Sequence, residues 1–120
     1  MATVFTQAGE EWLADKVDES IQTKPEYVGW GTGAGTSAKG DIILFSEASE
    51  ARVQGSMSQP AADKTRVVAT LTCAGAGKTI TNAGSFTNST GATLVVKGDF
   101  TGVPLSVGDK IEFTIDIEWT

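Results

Sequence analysis

The sharpest pattern in the chain lies at its C-terminal end. There Ile111, Phe113, Ile115, Ile117 and Trp119 alternate with Glu112, Thr114, Asp116 and Glu118. Such a period of two predicts a strand whose odd-numbered face is buried. Thr65 to Thr72 alternates in the same way, with Val67, Ala69 and Leu71 on one face. Tyr27-Val28-Gly29-Trp30, Lys78 to Phe86 and Thr93 to Phe100 also read as strands, and Arg52 to Ser58 reads as extended. Between them lie Gly31 to Gly40 (a long flexible loop), Gln59 to Lys64, Ala74 to Gly77, Asn88 to Gly91 and Val107 to Lys110, all rich in turn residues. Asp41 to Ala51 fits either a helical turn or an irregular crossing. Strands broken by turns at this spacing predict a mainly β fold, an antiparallel β-sandwich or jelly-roll-like single domain.

The N-terminal stretch has a different period. Leu13, Val17 and Ile21 recur every four residues with Trp12 alongside, while Glu10, Glu11, Asp15, Asp18 and Glu19 take other faces. That spacing predicts a short amphipathic helix from Gly9, its expected N-cap, to Ile21, with Pro25 preventing continuation. The chain thus divides into an N-terminal arm with a short helix, residues 1–26, and a β domain, residues 27–120. A lone helix of this length is marginal in water. Its stripe therefore needs a surface, either on its own sheet or on a neighbouring molecule. Val4, Phe5, Trp12, Leu13, Val17 and Ile21 are the candidate partner interface. Trp30, between two glycines, joins them as a second reading behind plain packing.

Composition narrows the chemistry. The 120 residues include 14 Gly and 16 Thr but only five Leu, as befits strands and tight turns. A formal charge of −6 disfavours nucleic acid as a partner, because such binding depends on neutralising phosphates. The longest apolar run, Ile42-Ile43-Leu44-Phe45, falls far short of the roughly 20 residues that span a bilayer, so no membrane association is expected. Met1 to Phe5 lacks the basic and apolar regions of a signal peptide. Cys73 is alone, which fits synthesis in the cytoplasm and excludes an intrachain disulfide. With no His and one Cys, neither a conventional zinc site nor a His-activated nucleophile is expected. No catalytic, cofactor-binding or metal-binding residue is assigned, and the chain is not expected to be an enzyme.

Two glycine-rich stretches imitate phosphate loops. Gly29 to Gly35 lacks the Lys of a nucleotide-binding loop, and it matches the dinucleotide fingerprint only in a relaxed form ending at Ala34. Gly77-Lys78-Thr79 has the right tail, but Thr72 stands where the first glycine is required. Ala74 to Thr79 is expected to be a β-hairpin connection. Glu47 with Glu50, and Asp116 with Glu118, form carboxylate pairs that read as solvated charge.

Tyr27-Val28-Gly29-Trp30-Gly31-Thr32-Gly33, Leu44-Phe45-Ser46-Glu47-Ala48, Val67-Val68-Ala69-Thr70-Leu71, Ile80-Thr81-Asn82-Ala83-Gly84-Ser85-Phe86 and Val96-Lys97-Gly98-Asp99-Phe100 carry a resemblance. In this order, preceded by Gln7-Ala8-Gly9-Glu10-Glu11-Trp12-Leu13, the chain resembles a family of small tailed-bacteriophage virion structural proteins. Gly84-Ser85-Phe86 departs from the family's usual Gly-Leu-Phe. The resemblance implies a virion component without catalytic residues, made in the host cytoplasm. Its leading form is a capsid decoration or cement protein that binds and stabilises the head lattice; the alternative is a tail or tail-fibre-associated adaptor. Expected partners are the major capsid protein, other virion proteins and further copies of the chain as a homo-oligomer, with no cofactor.

Overall fold

The computed structural model describes residues 3–18 and 24–118. In chain order its elements are β1 (Thr3–Phe5), α1 (Gln7–Asp18), β2 (Tyr27–Gly31), β3 (Val53–Gln54), β4 (Ser56–Ala61), β5 (Lys64–Thr72), β6 (Lys78–Phe86), β7 (Leu94–Leu105) and β8 (Lys110–Glu118). The strands make two antiparallel sheets, one ordered β1-β7-β6-β2-β3 and the other β4-β5-β8. The fold is mainly β and sandwich-like, with one short helix.

Alternation explains how the layers meet. Val67, Ala69 and Leu71 of β5 point inward onto Val28 and Trp30 of β2 and Ile80 and Ala83 of β6, forming the main core. The Phe113 ring stands edge-on to Trp30, with centroids 6.3 Å apart and planes at 82°. β5 and β8 pair without interruption from Lys64↔Glu118 to Thr72↔Lys110. The odd face of β8 turns inward as its period predicts. Only Ile117 is buried there, however, while Ile111, Phe113 and Ile115 are half-buried. The reason is position: among the described residues β8 is an edge strand, so its side chains lack a neighbour on one flank.

Several boundaries differ from expectation. Gln59, Pro60 and Ala61 belong to β4, so the connection shrinks to Ala62 and Asp63. β7 continues past Phe100 to Leu105. Pro104 lies in this extension, opposite Thr79 of β6 and beyond the residues that pair with β1. Ala74 to Gly77 is not a hairpin: β5 and β6 lie in different sheets, and this turn carries the chain across. Asp41 to Ala51 is irregular rather than helical.

The helix begins earlier than Gly9. Thr6 is its N-cap, its Oγ1 accepting from the Gly9 amide at 2.9 Å and donating to the Leu94 carbonyl. Gly9 serves close packing instead, since a Cβ there would lie 2.7 Å from the Phe5 ring and from the Val95 carbonyl. The described part of residues 1–26 rests on the sheet. β1 pairs with β7, and Phe5 and Trp12 pack on Val95, Val96 and Ile117.

Candidate functional site

The residues proposed as a partner interface separate into three groups. Val4 and Phe5 are half-buried in β1, and Phe5, Trp12 and Leu13 line one wall of a groove beneath α1. Pro25, Met57 and Ile117 form much of the rest, and the cavity volume is about 430 Å³. Trp30 is 0% exposed in the centre of the sandwich and offers nothing to a partner. The glycines beside it allow that burial: a Cβ at Gly29 would lie 2.9 Å from the Glu47 carboxylate, and one at Gly31 would strike the Phe45 carbonyl. Ile21 and the side chain of Val17 lie outside the described residues, as does Trp119.

Ile42 and Ile43, part of an apolar run in the sequence, are 67% and 69% exposed. The segment that carries them is tied to the sheet from several directions. Thr32 and Gly33 donate to the carbonyls of Ser46 and Phe45 at 3.0 and 2.9 Å. Asn82, fully buried on β6, accepts from the Phe45 amide and donates to the Phe45 carbonyl, both at 3.0 Å. Lys97, fully buried on β7, donates to Asp41 Oδ2 and to the Ile43 carbonyl, each at 2.9 Å. Its ammonium also lies 3.3 Å from the Phe45 ring centroid. The Lys97 hydrogen bond, helped by the Ala38 amide, holds the Asp41 carboxyl below its usual range. The glycine-rich loop expected to be flexible is thus bonded along its length: the Ser37 amide reaches Asp99 at 2.7 Å, and the Lys39 carbonyl accepts from Gln7 at 2.8 Å. No helix follows it to direct amides at a phosphate.

The carboxylate pair Glu47 and Glu50 is engaged in structure. Glu47 accepts two bonds from Arg52, at 2.8 and 3.0 Å, and that guanidinium also covers the Phe86 ring. Glu50, with 8% of its side chain exposed, accepts from the Ala74 amide at 2.9 Å, from Trp30 Nε1 at 3.3 Å and from Lys78. Burial alone would raise its pKa, but the Ala74 amide, the Lys78 ammonium and the indole together bring it from 4.5 to about 2. A carboxyl of that kind stays ionised at neutral pH and has no proton to give. Lys78, the lysine of the imitation nucleotide loop, is spent on this ion pair. On β8, Asp116 takes two bonds from Arg66, at 2.7 and 3.0 Å.

Glu50 sets a pH window. A depressed carboxyl pKa stabilises the folded chain fully above the unfolded value and loses that contribution as pH falls through the folded one. Stability should therefore hold level down to pH about 4.5 and decline toward pH 2 by up to about 3 kcal/mol from this group. Urea melts across that range check it: Glu50→Gln should flatten the decline, and an unchanged slope would contradict the assignment.

Among the described residues no group of three or more His, Cys, Asp or Glu is placed to hold a metal ion. No described helix is long and apolar enough to cross a membrane. What the surface offers is apolar contact, at the α1 groove and at Ile42 and Ile43. Comparison with family models, with curated proteins and with solved structures finds no match.

Proposed function

We propose that this chain is a structural protein of a tailed-bacteriophage virion, and that it decorates and cements the capsid. One observation carries the reading most directly. Segments that bear the resemblance, though far apart in sequence, meet at one place in the fold. Trp30 and Gly31 pair with Ala83 and Asn82, Asn82 clamps Phe45, and Lys97 holds Asp41 and Ile43, which lie just before the Leu44 to Ala48 segment and outside the resemblance. Their joint product is a fixed loop that presents two isoleucines to the outside. An apolar tip on a pre-ordered loop loses little conformational entropy on docking, which favours seating in a depression of another protein.

A decoration protein works by multiplicity. Each copy buries modest area between capsomers, and binding to the assembled shell but not to its dissociated parts stabilises the shell by mass action. Particles lacking this chain should therefore release DNA at lower temperature, or under milder osmotic shock, than complete particles. Adding back purified protein should restore them, and Ile42→Ser/Ile43→Ser protein should not. Identical release curves with and without the chain would end the cement role.

A further inference from the structure

We infer that the outer edge of β8 is a self-association surface, through which two copies pair antiparallel about a two-fold axis. The inference concerns the isolated chain and does not depend on the virion reading.

The first argument is a contrast among the four sheet edges. An unpaired edge invites pairing with another chain, and folds blunt it by shortness, proline, bulges or inward-pointing charge. Among the described residues β1 has 3 and β3 has 2. β4 contains Pro60, and its register slips between Ser58 and Ala61. β8 is neither short, nor bulged, nor broken by proline: it is 9 residues long, pairs with β5 in unbroken register and turns only Ile and Phe inward, while the charges that could guard its edge, Lys110, Glu112, Asp116 and Glu118, all lie on its outer face.

The second argument is incomplete coverage. A three-stranded sheet lies over a five-stranded one, and burial weakens from β5 to β8. A cavity of about 200 Å³ opens on the β8 flank, between Phe113 and Ile115 on one side and Val96, Gly98 and Phe100 on the other. Thr3 of β1 also borders it, so β1 and β8 edge the same flank of the sandwich. A strand added beside β8 would cover the half-buried side chains there.

Charge selects the occupant and the register. Inward residues must oppose inward residues, because a one-residue slip would turn one strand's apolar face outward. Centring the two-fold on Phe113 sets Lys110 opposite Asp116 of the second copy, Glu112 opposite Thr114, and Ile111 opposite Ile115. Sliding one copy by two residues in either direction sets Glu112 against Glu112 or against Asp116. The centred register alone among these avoids a like-charge pair while matching Lys110 with an acid. The edge is thus complementary to itself, as an isologous interface requires.

Thr114 supplies a test that spares the fold, because its side chain is exposed on the outer face. Sedimentation equilibrium of the full chain should give twice the 12.5 kDa chain mass at micromolar concentration. Thr114→Glu, facing Glu112 of the other copy twice, should weaken the dimer about tenfold or more. Thr114→Lys should tighten it by a similar factor. Circular dichroism should be the same for all three proteins. A monomer at every concentration, a trimer, or a dimer indifferent to both substitutions would overturn the inference.

Discussion

Replacing Lys97 by Met should destabilise the protein by about 2–3 kcal/mol, the upper part of the range for losing hydrogen bonds to a charged group. The Lys97 side chain is 1% exposed and makes three ammonium contacts (Asp41, the Ile43 carbonyl and the Phe45 ring), while the Asp41 carboxylate it would leave behind is 24% exposed. The substitution keeps the apolar stem, so the loss isolates the charge. Asp41→Asn together with Lys97→Met should recover part of that loss, because the double change leaves neither ion behind. Urea melts of the four proteins measure the cycle. A loss below about 1 kcal/mol for Lys97→Met would show that the 41–45 loop does not depend on this anchor. The prediction reaches function as well, because the same contacts fix the backbone that presents Ile42 and Ile43.

The second large effect is expected at Trp30. Trp30→Ala should cost about 3–5 kcal/mol, since it empties the centre of the main core and removes the edge contact with Phe113. Trp30→Phe should cost less, about 1–3 kcal/mol, because it preserves most of the packing and loses chiefly the indole donor to Glu50. Equal losses for the two would mean that the hydrogen bond, rather than the ring volume, is what this position supplies.

The alternation of β5 and β8 was readable because period two is local: each residue's face follows from its neighbours in sequence. Depth of burial was not readable, because it depends on which strands sit beside and above. Val67 and Ile115 share one pattern and oppose each other in register, yet one is buried and the other only half-buried. The same limit explains the helix start. Thr6 caps α1 and is itself held by the Leu94 and Val95 carbonyls, 88 and 89 residues away in sequence. Gly9 therefore looked like the cap. Lys97 is the clearest case: a lysine following Leu94-Val95-Val96 gives no sign of full burial, which arises only when a remote loop brings Asp41 over it. The glycines flanking Trp30 suggest an open surface in sequence, yet they let the Phe45 segment and Glu47 close over the strand. The candidate binding loop was visible only as a run of apolar residues; its attachment is entirely long-range.

The virion reading is tested most directly by counting. On the proposal, phage particles from the source of this chain are purified, and the chain is quantified against the major capsid protein by gel densitometry. The proposal expects a fixed ratio on the scale of the head lattice, and retention of the chain on heads separated from tails. Absence from purified particles would contradict a virion role altogether. A low copy number that follows the tails would contradict decoration and place the chain in the tail instead.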